Sequence, residues 1–246
     1  MTPALISCII PVFNGARYLA EALDSVLGQT YTPLEPIVVD DGSTDGTRDV
    51  VKVYGARVRY LYQANAGHAA ARNFGVATAR GEFVAFLDAD DLWHPAKLER
   101  QMARFRVRPE LDACVTFVRN FWSPEIAARD RPPDDPGLIQ PVPGYRSVTL
   151  LAQASLLETV GPFDPALRHG NDTDWFLRAA ERGAVIELLP EVLVDRRLHA
   201  ANRSRRLAAA SRREYVRILK ASLDRRRGEA DAAARPYRFR TSPRSD

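Results

Sequence analysis

No run of residues in this chain approaches the roughly 20 consecutive apolar positions that a membrane-spanning helix needs. The N-terminus has no basic segment ahead of its first apolar stretch, which argues against a secretory leader. Cysteine is scarce. Cys8 and Cys114 are the only two; both fall in predicted strands without metal-ligand spacing, as buried thiols of a reducing compartment do. No G-x-G-x-x-G follows the first strand, against a dinucleotide-binding Rossmann enzyme, and the absence of G-x-x-x-x-G-K-[ST] excludes a P-loop. No internal repeat of solenoid or propeller period is present. What remains is a globular composition, 46% hydrophobic and 27% charged, in a chain of 246 residues. That is enough for a sizeable core in one large domain or two small ones.

Charge is unevenly distributed. Residues 203–246 hold 14 Lys/Arg against 5 Asp/Glu, a net +9; with the whole chain at +4, residues 1–202 carry −5. A mildly acidic body therefore carries a basic tail.

The body alternates strands and helices. Leu5–Ile10 reads as a buried strand ended by Pro11, and Leu19, Ala22, Leu23 and Val26 mark one face of a helix. A strand at Pro36–Val39, a helix capped by Ser43 or Thr44 and running to about Tyr54, a strand at Val58–Tyr62 and a helix at Gly67–Ala79 follow. The Phe83–Leu87 strand, a helix over Pro95–Arg108 and a strand at Ala113–Val118 continue the series. Such alternation predicts right-handed crossovers and a doubly wound, mostly parallel sheet with helices on both faces. Ser123–Pro143 is proline-rich and aperiodic, read as a long loop over the active face or a surface insertion. A helix at Asp172–Arg182 and short strands at Val185–Leu189 and Val192–Val194 complete the body.

Two of these strands run directly into acids: Asp40-Asp41 after the second, Asp88-Ala89-Asp90-Asp91 after the Phe83–Leu87 strand. Carboxylates this close repel one another, so such a run calls for a compensating cation. Strand C-termini in an open α/β sheet are also where ligands bind. Asp-x-Asp there offers hard oxygen ligands for Mg²⁺ or Mn²⁺ beside a phosphorylated substrate. The competing reading is a solvated turn in which Asp91 caps the next helix.

Seven short motifs in order resemble family 2 glycosyltransferases of the GT-A fold. They are Ile10-Pro11-Val12-Phe13-Asn14, Val39-Asp40-Asp41-Gly42-Ser43, Ala70-Ala71-Arg72-Asn73, Asp88-Ala89-Asp90-Asp91, Val160-Gly161-Pro162-Phe163-Asp164, Asn171-Asp172-Thr173-Asp174-Trp175 and Arg196-Arg197-Leu198-His199. The resemblance spans Leu5 to about Ser204. It implies inverting transfer of a sugar from a nucleoside diphosphate to an acceptor hydroxyl, residues 1–110 forming the nucleotide-sugar half and 111–202 the acceptor and catalytic half.

By similarity, Asp41 accepts hydrogen bonds from the base, Pro11 and Phe13 wall the base pocket, and Arg72 holds ribose or phosphate. Asp88 and Asp90 correspond to the family's metal-binding pair, Asp90 as the direct ligand, and His199 reaches the metal or diphosphate from the C-terminal half. Asp172 corresponds to the general base, with Asp174 as fallback and Trp175 as a weak acceptor contact. The family usually has Glu-Asp where this chain has Asn171-Asp172. The expected donor is UDP-, dTDP- or GDP-linked, and the acceptor a glycan, a lipid-linked oligosaccharide or a small molecule. A non-catalytic sugar-nucleotide-binding scaffold is the rival that Asn171 motivates. A sugar-phosphate nucleotidyltransferase shares the fold class, but normally opens with a Gly-rich loop where Pro11-Val12-Phe13-Asn14 stands.

In the tail, a basic amphipathic helix is expected over 204–227. Its two readings are a helix packed on the domain and one lying on an anionic membrane surface through 203–227. No nucleic-acid-binding motif accompanies the charge. The expected location is the cytoplasm, with peripheral attachment to the inner membrane face as the extension. The last ten residues read as disordered.

Overall fold

Ile6–Val12 forms β1, every residue of it buried, at the centre of the molecule. The computed structural model describes residues 3–126, 140–199, 208–229 and 239–241. Beside β1 lie β2 (Leu34–Asp40) and β4 (Phe83–Phe86), both parallel to it, with β3 (Arg59–Tyr62) parallel to β2. The full order is β10-β9-β6-β8-β4-β1-β2-β3, where β6 is Ala113–Trp122, β8 Leu151–Gln153, β9 Ile186–Leu198 and β10 Phe239–Thr241. Only β8 runs against its neighbours on this path. The short β5 (Leu92–Trp93) and β7 (Val142–Pro143) pair off it with β9 and β6. One sheet thus runs through both expected halves.

Pleat alternation sends Cys8 and Ile10 to one face and Ile9 to the other. The first face is covered by α1 (Leu19–Leu27) and α4 (Lys97–Val107), whose Leu19, Leu23, Val26, Leu98 and Met102 share one core. The second is covered by α3 (His68–Thr78), α5 (Ala154–Val160) and α6 (Asn171–Glu181), which bring Ala71, Leu157, Trp175 and Phe176. The short α2 (Thr47–Lys52) follows β2. The tail helix α7 (Ala208–Glu229) packs on α6. This is the expected doubly wound architecture with helices on both faces.

Several boundaries differ from the sequence reading. The Val185–Leu189 and Val192–Val194 segments are one strand, β9; its register on β6 shifts between Thr116 and Phe117, which leaves Pro190 and Glu191 bulged. Helix α2 starts at Thr47, because Ser43 instead accepts the Asn14 N–H at 2.8 Å. Asp91 caps no helix, since α4 begins beyond it at Lys97. The tail helix runs to Glu229, and 204–207 lie outside the described residues. Of the Pro-rich loop, 127–139 lie outside them, while Val142–Pro143 pairs with β6. Within the final ten residues, expected to be disordered, 239–241 add a parallel strand to β9; the others lie outside the described residues.

Candidate active site

Because β1, β2 and β4 are parallel and in register, their C-terminal ends share one edge. There they bound a cleft of about 1300 Å³. Pro11, Phe13, Asp41, Arg72, Asp88, Asp90, Asp172 and His199 all line it. Phe13 is exposed, at 53%, on the rim.

The paired acids after β2 divide their work. Asp40 is buried; it accepts the Ser43 N–H at 2.8 Å and the Tyr60 hydroxyl at 2.6 Å, which fixes the turn. Burial, then this bond to Asp40, raises the Tyr60 pKa. Asp41 accepts from Gln63 Nε2 at 2.7 Å and from the N–H groups of Ala66 and Gly67 at 2.8 and 2.9 Å, tying down the loop that leads into α3. Gly42 between these turns has φ +81°, and a Cβ there would stand 2.8 Å from the Asn65 nitrogen, so the tight approach needs glycine.

At the start of α3, His68 and Arg72 converge on Asp88. His68 Nε2 and Arg72 Nη2 each lie 3.1 Å from its Oδ1. Burial alone would raise the Asp88 pKa, but these two groups outweigh it and hold the carboxyl below the usual range. Arg72 Nη1 donates to Asp172 Oδ1 at 2.7 Å and to Asn171 Oδ1 at 3.1 Å. The guanidinium lies 5.4 Å from the centre of the Phe163 ring, and its Nε is buried without a hydrogen-bond partner. Arg72 therefore joins Asp88, just after β4, to Asp172, in the first turn of α6.

His199 Nε2 lies 2.8 Å from Asp90 Oδ2, and its ring is 5.0 Å from that of Tyr18. Arg197 organises the turn below: its N–H donates to Asp91 Oδ1 at 2.9 Å, its Nε to the Asp90 carbonyl at 3.0 Å, and its Nη2 to Glu21 at 2.7 Å. Asp91 is buried. Its pKa is pushed well above the usual range, first by burial and then by the charges of Asp90 and Asp88.

Asp174 and Trp175 stay out of the cleft. Asp174 is buried and pairs with Arg178 Nε at 2.8 Å. Trp175 has no exposed surface, stacks on Phe163 at 5.7 Å between ring centres and donates Nε1–H to the Gly161 carbonyl at 3.2 Å. Its spacing on α6 is that of a core residue. His68 and Tyr18 line the cleft but are not among the residues singled out from sequence. For His68 a signal existed, four residues before Arg72 on one helix face; Tyr18 arrives from a distant element.

Asp90 and His199 are the pair that could hold a divalent cation. Among the described residues no group of three or more His, Cys, Asp or Glu is arranged to do so alone. A hard cation takes six or more ligands, so oxygens of a bound molecule would supply the rest. An oxygen and an imidazole nitrogen meeting at an open cleft, beside the crowded Asp88–Asp91 run, suit that arrangement.

The profile of the family "Glycosyl transferase family 2" matches residues 7–156. An uncharacterised glycosyltransferase of Rickettsia typhi is 35% identical over 214 residues, covering 80% of this chain and 65% of the relative. One from Nostoc is 49% identical over 105 residues, 41% of this chain and 33% of that protein. Among solved structures, Staphylococcus aureus TarS 1–349 in complex with UDP-GlcNAc has a TM-score of 0.66 at 22% identity, covering 82% of this chain and 60% of that one. The mannosyltransferase PcManGT from Pyrobaculum calidifontis, in complex with GDP-Man and Mn²⁺, has a TM-score of 0.64 at 22% identity, covering 94% and 65%. This chain thus spans only part of these relatives' lengths. Its sheet order, the acids at its strand ends and the match over 7–156 make it a member of glycosyl transferase family 2, with the GT-A fold.

Proposed function

We propose that this chain moves a sugar from a nucleoside diphosphate to an acceptor hydroxyl with inversion, Asp172 taking the acceptor's proton. The single observation that carries this is the Arg72 bridge between Asp88 and Asp172. Inversion needs a carboxylate on the sugar face opposite the departing diphosphate. The 2.7 Å bond from Arg72 Nη1 holds the Asp172 carboxylate in the cleft that Asp90 and His199 also line.

In this reading the base lies between Pro11 and Phe13, where Asp41 has acceptor capacity beyond its three present donors for an imide N–H. Arg72 steadies Asp88 as well as Asp172, and so contributes to the donor side indirectly. Asp90 and His199 would hold Mg²⁺ or Mn²⁺, which when bound neutralises charge on the leaving diphosphate. The UDP-GlcNAc and GDP-Man in the two structural neighbours and the Mn²⁺ in one support a nucleotide-sugar donor and a divalent cation here.

The outer face of α7 supports peripheral attachment to an anionic bilayer, and with it a lipid-linked acceptor. No described helix is long and apolar enough to cross a membrane. On α7, however, Val216, Leu219 and Leu223 are 67%, 52% and 51% exposed. Their i, i+3, i+7 spacing makes one stripe, and exposed Arg212, Arg213, Arg217, Lys220 and Arg227 surround it with positive charge. Tyr215 of the same helix reaches the cleft.

The test of the reaction is nucleotide release from UDP-GlcNAc and GDP-mannose in the presence of Mn²⁺. Asp172→Asn is expected to lower kcat by about 10²–10⁴-fold with nucleotide affinity kept. Undiminished turnover would remove Asp172 from the role of base.

A further inference from the structure

Helix α7 lies beyond the segment that the family profile matches, yet it grips α6 at both ends. At one end Glu214 Oε1 accepts the N–H groups of His169 and Gly170 at 2.7 and 2.6 Å, and Oε2 accepts that of Arg168 at 3.1 Å. These are three consecutive backbone donors in the turn that leads into α6. One helical turn further on, Ile218 is buried against Gly170, where a Cβ would stand 2.2 Å from the isoleucine Cδ1. At the other end Ser222 Oγ and Arg225 Nε donate to the Glu181 carboxylate at 2.5 and 2.6 Å. Burial alone would raise the Glu214 pKa; the three backbone bonds outweigh it, so the carboxylate stays charged at neutral pH.

Asp172 stands two residues after Gly170, in the first turn of α6. Arg168, His169, Asn171, Asp172 and Thr173 all line the cleft, so the turn that Glu214 fixes is part of its wall. Arg72 holds the end of the Asp172 side chain, but the backbone that carries it is secured from α7. We infer that Glu214 is a positioning residue for Asp172: its carboxylate sets the 168–170 turn, and through it the placing of the general base. The inference rests on the reading of Asp172 as base. It makes the tail helix part of the catalytic architecture, because a misplacement of about 1 Å can cost about 10²-fold in rate.

A double-mutant cycle tests it, with Glu214→Ala, Asp172→Asn and the pair in the full chain. The readouts are nucleotide release from UDP-GlcNAc and GDP-mannose with Mn²⁺, and calorimetric titration of UDP and GDP. Glu214→Ala is expected to lower kcat about 10- to 100-fold, leave nucleotide affinity within about twofold, and cost less than about twofold more in the Asp172→Asn background. Glu214→Gln keeps an acceptor oxygen and the helix contact, and should fall between the two, which separates positioning from loss of folding. Equal losses in both backgrounds, or losses that follow the unfolded fraction in a thermal melt, would overturn the inference and leave Asp172 as base. An Asp172→Asn variant as active as the parent would overturn both.

Discussion

Arg72 and Asp172 are 100 residues apart in sequence and 2.7 Å apart in the structure, Nη1 to Oδ1. The same guanidinium reaches Asp88 at 3.1 Å through Nη2. A planar fork can serve two carboxylates at fixed separation; an ammonium on a flexible stem cannot hold both in place. One buried side chain thus ties Asp88 to Asp172.

Arg72→Lys should therefore fold but lose about 10²-fold in kcat, read as nucleotide release, because Asp172 is no longer oriented. Arg72→Ala leaves Asp172 without its cation and Asp88 with His68 alone, and should cost about 1–3 kcal/mol in a urea melt. Parental activity in Arg72→Lys would show that the fork has no orienting role.

Lys97 makes a separate prediction about pH. It is fully buried, with Nζ donating to Gln101 at 2.8 Å and lying 4.2 Å from the centre of the Trp93 ring. Burial lowers its pKa from 10.5 to about 7. Between those values the unfolded chain binds the extra proton, so stability rises with pH through that window. Below about pH 7 both states are charged and the cost of burial is at its full size. Lys97→Met should accordingly stabilise the protein by about 1–4 kcal/mol at pH 6 and by much less above pH 10, as followed by urea melts. An equal difference at both values would contradict this.

For α7, sedimentation with vesicles of phosphatidylcholine, with and without phosphatidylglycerol, separates lipid charge from non-specific adhesion. The parent should bind only the anionic vesicles and release as salt is raised, since each basic residue near the lipid contributes about 1 kcal/mol. Leu219→Ser with Leu223→Ser should weaken binding about tenfold without changing nucleotide affinity. Equal binding to neutral vesicles, or none to either, would count against attachment through this face.

How far the sequence carried the reading depends on the range of each interaction. The acids after β2 and β4 were legible because they directly follow apolar runs, and the parallel register then fixes their shared edge. The face of α1 was legible from its spacing. β8 was not: three residues, Leu151–Gln153, give no period, and what makes them a strand is pairing with β4 and β6. Pro190 divided β9 into two expected strands because a bulge and a strand end look alike locally. Tyr18 meets His199, and Glu214 meets His169, only after the chain has folded. Trp175 belongs to a conspicuous motif and yet is core, a distinction that only burial makes.

The most direct test of the account is calorimetric titration of UDP, dTDP and GDP, each with and without Mn²⁺, into the parent and Asp90→Ala. Binding of one nucleotide that requires Mn²⁺ and is lost in Asp90→Ala is the expected result, and it names the donor class. Binding that ignores the metal and the substitution, or none at all by a folded protein, would contradict the assignment of this cleft to a nucleotide sugar held through a cation.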